Sequence, residues 1–408
     1  MTDHGLLSVA DARARILADV SQDFSTEFVP LEQALGRTLA RTLLAARTQP
    51  PKALSAMDGY AVRAADLAQL PVKLKQVGES AAGHAYPGSV GPGEAVRIST
   101  GAPLPDGSDA ILIQENARVS GDIIEPLQGV IKGEYVRPRG FDFSEGDALL
   151  SAGTRLRATS IALAAAMNHK DLPVTRRPRV VILATGDELV RPGEAIGSDQ
   201  IVASNSFGIA ALVERAGGEP FDLGIAKDDL STLEASIHAA RAVEADLLVT
   251  LGGASVGHRD LVKPALARHG VELSFSQIAM RPGKPMIHGR LGKMAILGLP
   301  GNPVSAIVAG VLFLVPLVRA LCGDPHAGEE RYEAAVLGAA VSSNDGRQDF
   351  LRATLRLSET GLPVATPFQL QDSSHLRVLA EAQCLVIRDP HAGPAAAGDV
   401  CRIIRLDF

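Results

Sequence analysis

The chain has 408 residues, 46% hydrophobic and 21% charged, with 40 glycines and 25 prolines, a composition that supports packed cores and excludes disordered, collagenous and coiled-coil classes. Its 40 Lys and Arg against 46 Asp and Glu give a net charge of −6, so no basic field gathers nucleic acid or anionic lipid, and any anion must be held by local groups. Three cysteines, Cys322, Cys384 and Cys401, with no CxxC pair, fit a reducing compartment better than a disulfide or zinc framework.

At roughly 100 to 200 residues per domain the length predicts several domains. The first segment reads as an amphipathic helix, with Ser8 and Asp11 as a capping box and Val9, Ala12, Ile16, Leu17 and Val20 as one stripe. It lacks the pattern of a signal peptide. Residues 1–47 read as helical until Gln49-Pro50-Pro51 breaks the pattern. Short β-type segments follow at Val72–Val77, Ala95–Ile98, Ala110–Ile113 and Ile123–Pro126. Helical character returns over Ala158–Met167. The expected organisation is a β-rich domain over 48–137 inserted in a discontinuous helical domain of 1–47 and 138–174.

From 175 to 325 strands and helices alternate: RVVILA, a helix over Ser204–Ala216, FDLGIA, a helix over Leu230–Val243, DLLVTL, MAILGL and a helix over Pro303–Leu321. This predicts a doubly wound parallel sheet. Ala306–Val318, the longest apolar run, is shorter than the ~20 residues of a membrane span and contains Pro316; a cytoplasmic protein with no membrane or nucleic-acid partner is expected. Residues 326–408 return to short β segments, Ala334–Leu337, Phe350–Leu357, Cys384–Ile387 and Val400–Leu406, and predict a C-terminal β domain. The fold class is therefore α/β plus β, in several domains.

Three apolar strands of the α/β domain run into loops of small residues: Ala184-Thr185-Gly186-Asp187-Glu188, Leu251-Gly252-Gly253-Ala254-Ser255-Val256-Gly257 and Leu299-Pro300-Gly301-Asn302-Pro303. The carboxyl ends of parallel strands form the binding crevice of such sheets, so these loops should meet. Glycines admit a ligand close to backbone N–H groups, and the helix starting at Pro303 points its positive end at the crevice, so phosphate or a similar oxyanion is the natural guest. Neither G-x-G-x-x-G nor the P-loop sequence occurs. Arg281 and Lys284, around a Pro-Gly turn, can clamp an oxyanion; alone they would be two solvated cations. Asp187, Glu188 and Asp260 can hold Mg²⁺, which takes one or two carboxylates plus substrate phosphate, although capping or solvation explains each acid singly. By spacing alone Ser55–Ala61 and Thr100–Pro105 are ordinary turns.

Taken together, SAMDGYA at 55–61, RISTGAPLPDGSDAILIQE at 97–115, RPRGFDF at 137–143, ATGDEL at 184–189, GGASVGHRD at 252–260, RPGKP at 281–285 and GLPGNPVSA at 298–306 resemble the molybdopterin molybdenumtransferase family, to which the gephyrin C-terminal region belongs. The motifs occur in order from residue 8 to about 390. The resemblance implies an elongated four-domain homodimer, with the α/β domain of one subunit facing the β domains of the other. It implies insertion of molybdate into adenylylated molybdopterin, with release of AMP and Mg²⁺ present. The adenylyltransferase that makes this substrate and the acceptor molybdoenzymes are the implied protein partners.

Carried over by motif, Asp58, Asp142, Asp260 and Lys284 are the implied catalytic residues, with Asp260 also implied in metal binding. Thr100, Gly101, Thr185, Gly186, Gly252, Gly253, Ser255, Arg281, Pro300, Gly301, Asn302, Ser305, Arg347 and Ser373 are the implied substrate contacts, with Arg352 and Ser374 as weaker ones. The chain departs from the family pattern at Lys52-Ala53-Leu54, at Phe141-Asp142-Phe143, at His375, and at Ala203, where the family's Q-I-x-D-x-N carries an acid. An alanine can neither ligate Mg²⁺ nor accept a proton. Two further readings follow: a paralogue that binds molybdopterin or its cofactor as carrier or scaffold, and an adenylyltransferase, which ATP consumption would reveal.

Overall fold

The computed structural model describes residues 6–21, 23–253, 261–330, 332–358 and 361–406. Two units emerge, one of Met1–Glu27, Gly36–Ala40 and Pro173–Phe408, the other of Phe28–Leu35 and Arg41–Leu172.

In the first unit the four apolar strands expected from the sequence lie side by side and parallel, in the order Glu219–Ala226, Arg179–Thr185, Leu247–Leu251 and Met294–Leu299. Alternate side chains serve opposite faces, as strand geometry requires. Val180, Ile182, Val249 and Leu297 join the helices Val9–Ala18, Asn205–Ala216 and Pro303–Leu321 in one core. Val181, Leu183, Leu248 and Ile296 meet the helices Leu230–Ala242 and Val262–Arg268 in another.

Two strands that the sequence reading left out, Pro285–Leu291 and Glu272–Gln277, extend this sheet antiparallel. Their proline, histidine, glycine and alternating polar residues conceal them. Gly289 is required there, because a Cβ would lie 2.5 Å from the Glu272 carbonyl oxygen. The Pro303–Leu321 helix is long and apolar enough to cross a membrane, yet 67% of its most apolar 18-residue stretch is buried inside the protein. Its middle, Gly310–Leu314, is a π-helical turn. Pro316 follows at once and has no N–H to donate to the preceding turn, so a local change of hydrogen-bond spacing is expected there.

The capping box forms as expected, with Ser8 Oγ accepting the Asp11 N–H at 3.0 Å. The helical reading of residues 1–47 needs correction: the α-helix is confined to Val9–Ala18, and Thr26–Pro30 and Leu43–Leu44 are strands. The helical stripe ends at Val20, and β-branched Thr26 and Val29 followed by Pro30 favour extended backbone. The later helix is present as Ala158–Ala166.

The second unit carries a six-stranded mixed sheet in the order Ala110–Ile113, Gly59–Val62, Glu94–Ile98, Leu74–Ser80, Ile123–Pro126 and Ala117–Ser120. Tyr60, Leu74, Leu112 and Ile124 are buried on one side and Ala61, Val96, Ile98 and Ile111 on the other.

The C-terminal segment of the first unit is a closed five-stranded barrel, Gln348–Arg356, Val364–Pro367, Glu333–Leu337, Val400–Arg405 and Cys384–Arg388, closed by the pairing of the last strand with the first. Small residues such as Ala335, Ala353 and Ala365 fill its interior. Phe350, Leu385 and Ile387 instead join the core beneath the α/β sheet.

Candidate functional site

The loops at the strand ends do converge. They open into a cavity of about 1070 Å³ lined by Thr185, Gly186, Glu188, Gly252, Gly253, Pro300, Gly301, Asn302 and Ser305, by the Met280–Pro285 turn, and by Arg347 and Gln371–Ser374 from the barrel. Hydrogen bonds fasten these pieces together. Gly252 N–H donates to the Leu299 carbonyl at 3.1 Å, Asn205 Nδ2 to the Gly301 carbonyl at 2.7 Å, and Asn302 Nδ2 to Ser373 Oγ at 2.8 Å. Glycine is obligatory at 252 and 253: both have positive φ, and a Cβ would fall 2.8 Å from the Thr185 carbonyl oxygen and 2.2 Å from the Val262 side chain.

The start of the Pro303 helix offers an anion less than a bare helix end would. Pro303 has no N–H, and Val304 N–H is taken by the Ser373 carbonyl at 3.1 Å, so its contribution rests on Ser305, whose side chain is buried and lines the cavity.

The cations differ among themselves. Arg281 gives Nε and Nη2 to Asp349 at 2.9 and 2.5 Å, and Arg347 pairs with Asp345 at 2.6 Å. Arg347 holds the Asp345 carboxyl well below the usual carboxylate range. Lys284 is exposed and makes no ion pair among the described residues. Asp372, also at the cavity, is kept below the ordinary carboxylate range by the Ser374 hydroxyl and N–H.

Among the described residues no group of three or more His, Cys, Asp or Glu is arranged to hold a metal. Asp260 and Ser255, expected in the site from the sequence, lie outside the described residues. Asp187 does not line the cavity; its Oδ1 accepts the Asp228 N–H at 3.2 Å. Glu188 and Asp228 do line it. Mg²⁺ needs few protein carboxylates when substrate phosphate and water complete its shell, and two acids lining the cavity are compatible with that donor set.

Sequence reasoning missed Asp228, Asn205 and Gln371, all at the cavity. Asp228 was within reach of the strand-end rule, since it follows Glu219–Ala226, the fourth parallel strand. Ala203 is a cavity residue with 7% exposure, so a methyl group forms part of the lining there.

Thr100, Gly101, Asp58 and Asp142 belong to the second unit. There the SAMDGYA, TGAPLP and RPRGFDF loops are neighbours: Ser55 N–H donates to the Ala102 carbonyl, Ala56 N–H to that of Tyr135 and Asp142 N–H to that of Gln49, at 2.9, 2.8 and 3.0 Å. Asp58 Oδ1 accepts the Thr100 N–H at 2.6 Å and its hydroxyl at 3.0 Å. These two bonds lower the Asp58 pKa and keep the acid ionised.

A mostly parallel sheet with a glycine-walled, mixed-charge cavity at its strand ends is the architecture of an α/β ligand-binding domain. Family models agree along the chain: residues 7–168 match the MoeA N-terminal region (domain I and II), 181–320 a probable molybdopterin binding domain, and 334–406 the MoeA C-terminal region (domain IV). A molybdopterin molybdenumtransferase of Haemophilus influenzae is 33% identical over 98% of both chains. One from a Nostoc species is 38% identical over 83% of this chain and 79% of its own. The crystal structure of a molybdopterin biosynthesis MoeA protein from Pyrococcus horikoshii OT3 superposes with a TM-score of 0.84 at 29% identity, covering 98% of this chain and 99% of that one. The chain belongs to the molybdopterin molybdenumtransferase family and is a transferase of molybdenum cofactor biosynthesis.

Proposed function

We propose that this chain inserts molybdate into the dithiolene of adenylylated molybdopterin and releases AMP, and that the strand-end cavity binds the pyrophosphate of that substrate. The observation that carries the reading is Lys284, a cation with no ion-pair partner among the described residues, beside the Gly252-Gly253 backbone and Ser305 in one cavity. These groups bind and orient the anhydride, since charge-assisted hydrogen bonds to phosphate oxygens are strong in a sheltered site. Glu188 and Asp228 would hold Mg²⁺, with Asp260 in the same role by its motif. The ion supplies charge neutralisation at the phosphates. By their motifs Asp58 and Asp142 serve as acids, and Thr100 and Gly101 as substrate contacts, within the second unit. The working form is a cytoplasmic homodimer that takes its substrate from the adenylyltransferase and passes the cofactor to acceptor molybdoenzymes.

The deciding experiment incubates purified protein with adenylylated molybdopterin, molybdate and Mg²⁺, and follows AMP together with reconstitution of an apo-molybdoenzyme. Both products are expected, and both should vanish in Asp260→Ala. The methyl group of Ala203 in the cavity favours a second reading, a binding paralogue; tight pterin binding without AMP release would establish it.

A further inference from the structure

Arg281 and Arg347 both line the cavity, and each is already engaged by a carboxylate of the C-terminal segment. The Arg281 pairing is built differently from a surface ion pair. The Asp349 side chain is 4% exposed while Arg281 is 46% exposed, so the acid stands behind the guanidinium and the guanidinium faces outward. A short parallel pairing sets Met280 against Gln348 and Arg281 against Asp349, and Gln348 N–H donates to the Ala279 carbonyl at 2.9 Å. Two nitrogens of the fork, Nε and Nη2, are fixed by Asp349. The third, Nη1, is 3.9 Å from Asp345 Oδ2, and that carboxylate is turned to Arg347. The plane of Arg281 is therefore set by a buried partner, and Nη1, with Asp345 at 3.9 Å, makes no hydrogen bond among the described residues. A lysine has no second edge to offer in this way.

We propose that Asp349 is a positioning residue. Its carboxylate fixes the Arg281 guanidinium, and through it the Arg281–Pro285 turn that carries Lys284, so that the Nη1 edge and the Lys284 ammonium meet an oxyanion already oriented. Pre-ordering the long Arg281 side chain and the backbone of the turn removes entropy that the ligand would otherwise have to overcome. The proposal rests on the reading of the cavity as a phosphate site.

The test uses the full chain and inorganic pyrophosphate as probe, with binding followed by calorimetry at fixed ionic strength. Asp349→Asn is expected to weaken binding by about tenfold, near the lower end of what hydrogen bonds to charged groups contribute, and Asp349→Glu to recover most of it. In an Arg281→Ala background, Asp349→Asn should add less than about twofold, because its effect runs through Arg281. Arg281→Lys, which keeps the charge and loses the fork, should resemble Asp349→Asn and covers the case in which that variant fails to fold. Full affinity in either single variant, no recovery with glutamate, an undiminished effect in the Arg281→Ala background, or no pyrophosphate binding by the unsubstituted chain overturns the proposal. AMP release, assayed in parallel, keeps the two readings apart. An intact pyrophosphate cycle without AMP release upholds Asp349 and sinks the transferase reading, whereas AMP release with an unchanged KM in Asp349→Asn does the reverse.

Discussion

Of the three cations that line the cavity among the described residues, Arg281 and Arg347 are committed to Asp349 and Asp345, and Lys284 has no ion pair among those residues. A side chain without a prior partner gives its full interaction to the ligand. Lys284→Ala should therefore raise the KM for adenylylated molybdopterin by roughly 10- to 100-fold, from the loss of about 1.5–3 kcal/mol for a bond between charged groups. Steady-state AMP release measures it, and an unchanged KM would remove Lys284 from the site. Ala203 poses the opposite case, a position lining the same cavity with no polar atom in its side chain. Ala203→Asp adds a carboxylate to the cavity that Glu188 and Asp228 also line, and the rate of molybdate insertion should rise several-fold. Unchanged turnover would mean that the existing acids already do that work.

At the scale of elements, the cavity depends on how each helix begins and ends. Asp229 caps the Leu230–Ala242 helix, accepting from Thr232 N–H at 2.8 Å, and so fixes the residue next to cavity-lining Asp228. The Ser231 and Thr232 hydroxyls, with the Thr232 N–H, lower its pKa from 3.8 to about 2. A depressed acid contributes stability above its unfolded value and loses it as pH falls through the folded one. The difference in thermal midpoint between the unsubstituted chain and Asp229→Ala should thus be constant from about pH 7 to 5 and shrink from about pH 4 toward 2. A constant difference across that window would refute the cap's role. Helix ends of this kind were legible in sequence, as Ser8 with Asp11 shows, because they are local. The parallel strands were legible too, since burial on both faces demands unbroken apolar runs. The strands Pro285–Leu291 and Glu272–Gln277 were not, because their pairing imposes no such run. The Arg281–Asp349 fork, 68 residues apart, has no local signature at all.

At the scale of the molecule, the barrel contributes Arg347 and Gln371–Ser374 to a cavity whose floor is the α/β sheet. Such a wall holds its geometry only if barrel and sheet unfold together. The barrel has an interior of its own, yet part of it belongs to the core of the sheet: Phe350 is 0% exposed and lies in the same buried cluster as Leu299 and Phe313, alongside Leu385 and Ile387. Removing a buried phenylalanine ring costs about 3–5 kcal/mol through lost transfer energy and the cavity left behind. If the cluster is one cooperative body, Phe350→Ala should speed hydrogen exchange in the barrel strands and equally in the Pro303–Leu321 helix and the Met294–Leu299 strand, measured segment by segment by mass spectrometry. Acceleration confined to the barrel would show instead that it opens on its own. The cavity would then lose one wall, with Ser373 and Arg347, whenever that happens. Substrate should slow such opening, so in that case exchange in the barrel would fall on addition of pyrophosphate while exchange in the sheet stayed the same.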